Sequence, residues 1–183
     1  VNGVHIVFLG DYLDPYEDID LINKEQAYNN FVELLKETKD ANNVTLLIGN
    51  HDLHYWPEYI GGWGCRRDEL RKITISHLFM YNVNRFNVAY ETYMNNKQYL
   101  FTHAGVLKGW FEWITGKCVR QNSLDPNDTY NYGELFGLSD ETINRMKINL
   151  DANGLNDLLK HKSGRESLNI ISRYRGGYDR HGS

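Results

Sequence analysis

The sequence predicts an α/β fold, and three observations carry that expectation. Apolar runs of strand type alternate with helical spacing, beginning in the order strand, helix, strand. Three of the apolar runs stop at small polar clusters: "VFLGDYLDPY", "LLIGNHD" and "LFTHAG". The 183 residues, 41% hydrophobic and 24% charged, suit one domain with a sizeable core.

Residues 4–9, "VHIVFL", are continuously apolar apart from His5 and read as a buried strand. Residues 26–39 follow as an amphipathic helix, with Ala27, Phe31, Leu34 and Leu35 on one face. Asn23, three residues before Gln26, is its expected N-terminal cap. Residues 44–48, "VTLLI", form a second buried strand, so the first crossover should be parallel. The stretch "PEYIGGWGCRRD" reads as a glycine-rich loop and residues 69–78 as a helix. Residues 86–92 and 98–102 read as strands joined by a turn at "MNNK". Residues 106–114 form a short amphipathic segment, with Trp110 and Trp113 as packing residues. Residues 115–137 read as polar loop, Ser139 opens a helix through Met146 and Leu150, and a short helix is expected around Leu155–Leu159.

The charge balance excludes some functions. A net charge of −4 and a pI near 6.0 give no electrostatic reason to bind a nucleic-acid scaffold or a membrane surface. The longest apolar runs, about five residues, are too short to span a bilayer. Cys65 and Cys118 form no CxxC or paired spacing, which points to a reduced, cytoplasmic setting.

The three polar clusters carry the chemistry. Ligands of open α/β sheets bind beyond the carboxyl ends of the strands. Parallel strands in one sheet would gather Asp11 and Asp14, then Asn50, His51 and Asp52, then His103. The glycines beside them let the backbone turn sharply. Carboxylate, amide oxygen and imidazole suit a divalent ion such as Mn²⁺, Fe²⁺ or Zn²⁺. Two such ions clamp a phosphoryl group and generate a hydroxide nucleophile at neutral pH, and an uncoordinated histidine held by a carboxylate protonates the leaving group.

Each residue alone has a plainer reading. Asp11 and Asp14 suit a turn. His51 suits a hydrogen-bonded loop, and His103 a strand end. His54 reads as packing or solvent-facing, Asp52 as support for its turn, and Arg66 and Arg67 as a solvated helix start. Tyr12, Tyr55 and Trp56 are divided between pocket and core.

Taken together and in order, "GDYLD", "GNHD" and "THAG" resemble successive blocks of the calcineurin-like metallophosphoesterases. The resemblance runs over about residues 4–105, with "RYRGG" also similar, and is closest to the phosphoprotein (serine/threonine) phosphatases of bacterial and phage type. It implies a β-sandwich flanked by helices, here incomplete at both ends. Residues 1–183 would be one partial domain, with residues 115–165 as a helical or loop cap. It also implies a dinuclear centre of Mn²⁺, Fe²⁺/Fe³⁺ or Zn²⁺ and a metal-bound hydroxide that attacks a phosphate ester. Asp11 resembles the bridging carboxylate, Asn50 the amide ligand and His103 a histidine ligand. His51 resembles the general acid and Asp14 its orienting partner.

The sequence departs from the family in two respects. The upstream Asp-x-His and downstream Gly-His blocks do not appear, and neither His5 nor His181 replaces them. The chain also opens at Val1 without methionine and closes on "RGGYDRHGS", so a longer natural protein is expected. The chain alone is expected to bind metal weakly and turn over little. Second, Pro15-Tyr16 stands where the related phosphatases place a phosphate-binding arginine. Arg175 and Arg173 are the first candidates to replace it, then Arg66 and Arg67. The expected partner is a phosphorylated substrate, protein or nucleotide. A nucleotide or dinucleoside-polyphosphate hydrolase, or a non-catalytic metal- or phosphate-binding module, are the other readings.

Overall fold

The computed structural model describes residues 3–15, 23–56, 67–106, 108–119, 124–148 and 151–160. The chain divides into two compact units, Val1–Asn87 and Val88–Ser183.

In the first unit, strands β1 (Ile6–Phe8), β2 (Val44–Leu47) and β3 (Phe86–Asn87) form a parallel sheet with β2 in the middle. Ile6 pairs with Val44, and Leu46 with Phe86. The expected parallel crossover is therefore present. The central strand carries its apolar run into the core, where Leu47 is fully buried. β1 is less buried than its composition suggests. It lies at the edge of the sheet, and Ile6 is 46% exposed.

Helix α1 (Lys24–Glu37) forms as its spacing demands. Asn23 Oδ1 accepts the Gln26 N–H at 2.8 Å, and Ala27, Phe31 and Leu35 are buried. Phe31 stacks on Tyr12 at 5.3 Å between ring centroids, and Phe79 lies 5.0 Å from both Phe31 and Phe86. Each buried ring contributes on the order of 1.5–3 kcal/mol of apolar burial. The short helix α2 (Asn50–Leu53) leaves β2, and α3 (Lys72–Tyr81) follows. α3 starts three residues later than expected because the Asp68 carboxylate accepts the Leu70 and Arg71 N–H groups, closing a separate turn before it.

In the second unit, β4 (Ala89–Met94) and β5 (Lys97–Thr102) form an antiparallel hairpin. Asn95 and Asn96, with φ of 51° and 61°, are the left-handed pair of a two-residue turn, as "MNNK" indicated. Two expectations are corrected here. The strand expected over residues 86–92 is two strands. At the break, the Asn156 side chain accepts the Val88 and Ala89 N–H groups and donates to the Ala89 carbonyl. The strand that ends at His103 is also not a third parallel strand. β5 pairs with β4 in a sheet of its own.

Helix α4 (Lys108–Thr115) buries Trp110, and Trp113 packs 5.0 Å from the Tyr132 ring. The stretch expected to be loop contains structure: β6 (Lys117–Val119) pairs antiparallel with β7 (Thr129–Asn131), and α5 (Tyr132–Leu135) follows. Glu134 accepts the Asn131 N–H at 3.0 Å, which starts that helical turn. Helix α6 (Asp140–Ile148) begins after Ser139, whose hydroxyl accepts the Thr142 N–H at 3.2 Å. Helix α7 (Ala152–Asp157) and a 3₁₀ turn (Leu158–Lys160) bury Leu155 and Leu158. Among the described residues no helix is long and apolar enough to cross a membrane.

Candidate active site

Two of the predicted polar clusters meet in the first unit. β1 and β2 are parallel neighbours, so the turns leaving them lie side by side. At Gly10, φ is +90°, and an added Cβ would sit 2.5 Å from the Gly49 nitrogen. A Cβ on Gly49 would in turn sit 2.4 Å from the Asp11 nitrogen. Only glycine at both positions allows the loops to approach this closely.

Asp52 ties the loops together. It is fully buried, and its Oδ2 accepts the Asp11 and Gly49 N–H groups, each at 2.8 Å. Its Oδ1 accepts the Tyr12 N–H at 3.0 Å. Burial pushes the Asp52 carboxyl up to about 7; the Asp11 charge adds to this, and the three N–H donors oppose it. The expectation that Asp52 supports its turn holds, and its reach extends to the other loop.

Asp11 is half-buried and has φ of 58°, a left-handed conformation uncommon for a residue with a Cβ. Its Oδ1 accepts the His51 backbone N–H at 3.1 Å. The Asp11 carboxylate thus lies over the first turn of α2, which begins with Asn50. Asn50 is half-buried and His51 is buried.

Asp14 is also left-handed, with φ of 59°, and is 3% exposed. Burial pushes its carboxyl up, while the hydrogen bond from Tyr55 and the charge of His51 pull it down. The charge of His51 thus reaches Asp14. The Tyr55 hydroxyl donates to Asp14 Oδ1 and accepts the Asp68 N–H at 2.7 Å. Sequence reasoning left Tyr55 divided between pocket and core. Its spacing four residues after His51 on a helical turn is the signal that places both near one carboxylate.

His103 is half-buried at the end of β5 in the second unit, where Thr102 Oγ1 accepts the Gly105 N–H at 2.9 Å. His5 Nε2 lies 2.9 Å from Thr45 Oγ1, a strand contact. Tyr12 belongs to the core; its hydroxyl donates to the Leu47 carbonyl at 2.8 Å. His54 packs, 7% exposed, with its ring 5.9 Å from that of His51. Arg67 binds Glu69 at 3.1 Å and donates to the His54 carbonyl at 3.4 Å, so it is half-buried rather than the solvated residue expected before a helix. Arg66, Arg173 and Arg175 lie outside the described residues.

Among the described residues, no three His, Cys, Asp or Glu side chains gather into a metal-binding group. The Asp52 carboxylate instead serves the loops, fully buried and accepting three backbone N–H groups. The first unit does present hard oxygen donors, the Asp11 carboxylate and the Asn50 amide, on loops pressed together at two glycines. That donor chemistry fits a divalent ion.

A sequence model of the calcineurin-like phosphoesterases matches residues 2–182, so the chain belongs to that family. No curated protein matches the chain. No solved structure does either. The family is one of phosphoester hydrolases that generally use a dinuclear divalent metal centre.

Proposed function

We propose, from the chain's place among the calcineurin-like phosphoesterases, that it hydrolyses phosphate monoesters of the serine/threonine phosphoprotein type. Two divalent ions, Mn²⁺ first among the candidates, would be held by Asp11 and Asn50, with His103 as a further ligand. The observation that carries this reading is the clamp between the two strand-end loops. Asp52 and the Gly10–Gly49 contact hold Asp11 over the turn that carries Asn50 and His51. When bound, the ions supply a nucleophilic water at neutral pH and a clamp for the phosphoryl oxygens.

The chain's own residues do the rest. Asp11 keeps one oxygen on the His51 backbone N–H, which fixes the direction of its carboxylate. His51 donates a proton to the leaving oxygen of the ester. Asp14, a buried carboxylate, is its proposed orienting partner. Arg175 and Arg173 are the proposed phosphate contacts.

One observation favours a second reading. Pro15 replaces the arginine that related phosphatases direct at phosphate, so a nucleotide or dinucleoside polyphosphate is the alternative substrate.

The test is p-nitrophenyl phosphate hydrolysis by the intact protein with added Mn²⁺. Asn50→Ala should lower turnover of this ester by about 10²-fold or more, and His51→Ala should lower turnover of phenyl phosphate, whose leaving group needs a proton, by as much. Full activity in either variant, or turnover indifferent to metal, would favour a non-catalytic binding module. A phosphoserine peptide assayed beside a dinucleoside polyphosphate separates the two substrate classes.

A further inference from the structure

We propose that Tyr55 is a positioning residue, which acts by locking the Asp14 carboxylate in the orientation that serves His51. This rests on the phosphoesterase reading above. The argument begins with the environment of Asp14. Its carboxylate is 3% exposed on a left-handed backbone, and a buried carboxylate is costly unless its oxygens are bonded. Tyr55, also 3% exposed, donates its hydroxyl to Asp14 Oδ1.

The direction of that donation is set by a third group. The Tyr55 oxygen accepts the Asp68 backbone N–H at 2.7 Å. A backbone N–H is a donor only, so the phenolic proton is left to point at Asp14. Asp68 is itself held firmly. Its Oδ1 accepts the Leu70 and Arg71 N–H groups at 3.1 Å, and its Oδ2 binds Arg71 Nη1 at 2.9 Å. Arg71 then lies 5.6 Å from the centroid of the Tyr28 ring on α1.

A chain of contacts thus runs from Tyr28 on α1 through Arg71 and the Asp68 turn to Tyr55 and the Asp14 carboxylate. With Oδ1 held, Asp14 cannot rotate about its last side-chain bond without losing the Tyr55 hydroxyl. An orienting carboxylate matters most when the leaving group must be protonated. It matters little when the leaving group departs readily as an anion.

The experiment compares two esters in the Mn²⁺-loaded intact protein: p-nitrophenyl phosphate, with a good leaving group, and phenyl phosphate, with a poor one. Tyr55→Phe should keep kcat on the first within about threefold and lose about tenfold or more on the second, with KM unchanged. Equal losses on both esters, or none on either, overturn the proposal. In an Asp14→Ala background the same substitution should cost no more than about twofold, because its target is already gone. Losses that multiply would make Tyr55 merely structural. Mn²⁺ affinity by calorimetry should stay within about threefold of wild type by the same logic, and a larger change assigns Tyr55 to the metal site instead. If Tyr55→Phe does not fold, 4-aminophenylalanine at position 55 retains shape and a donor. It should preserve the ratio of the two esters, and a folded protein with that ratio lost rejects the idea. Wild type that cleaves neither ester removes the phosphoesterase reading and this proposal with it, a result distinct from equal losses.

Discussion

After β1 the chain turns at Gly10 with φ of +90°, and after β5 it turns at Gly105 with φ of +81°. Both glycines precede or follow a residue of the predicted site. Their surroundings differ. A Cβ on Gly10 would strike the Gly49 backbone at 2.5 Å, whereas one on Gly105 would meet nothing within 4 Å among the described residues. The first turn is also fastened by two backbone N–H bonds, from Asp11 and Tyr12, to the buried Asp52. The second has the Thr102 hydroxyl on Gly105, with Ala104 and Gly105 exposed. The same residue type therefore does two jobs after β1, conformation and close approach, and one after β5. The first turn is preorganised by its own unit. The second is defined by local backbone geometry.

Substitutions at the two glycines should separate these jobs. Gly10→Ala combines a left-handed alanine with a backbone clash and should cost about 3–5 kcal/mol by urea unfolding, with phosphoesterase activity abolished. A loss near 1 kcal/mol would mean that the loops can move apart freely.

Asp52→Asn should come next. It keeps the shape but replaces one acceptor oxygen by a donor facing N–H groups, at a cost of about 2–3 kcal/mol. The wild-type carboxyl also has a pH signature. It rises from 3.8 unfolded to about 7 folded, so the folded state holds the proton more tightly between those values. Its contribution therefore lowers stability as pH rises from about 4 to about 7 and is constant outside that window. In metal-free protein the Asn variant should flatten this part of the stability–pH curve. An unchanged slope would show that another group causes it.

Gly105→Ala should be mildest, about 1–2 kcal/mol, because only the left-handed backbone is strained. A loss as large as that of Gly10→Ala would erase the contrast between the two turns.

Much of this was legible in advance. The helix at α1 followed from the spacing of Ala27, Phe31 and Leu35 and the cap at Asn23, all local properties of the chain. "GDYLD" and "GNHD" located the loops, since parallel neighbours must release them side by side. The "MNNK" turn also specifies how β5 must pair. A two-residue turn joins antiparallel strands, so the strand before His103 could not continue a parallel sheet beside its own hairpin partner. The break at Val88 was not legible. It depends on Asn156, 67 and 68 residues away, taking the Val88 and Ala89 N–H groups.

By itself the sequence determined the residue chemistry and the order of the clusters: carboxylates after the first strand, amide and imidazole after the second. Those follow from composition and short-range periodicity. Tertiary structure alone decided which atoms those groups touch. Asp52 bridging two loops 40 and 41 residues apart, Tyr55 donating to Asp14, and the burial that pushes both carboxyls up all require distant segments to meet. Desolvation and long-range hydrogen bonds are properties of the packed chain, and no local pattern encodes them.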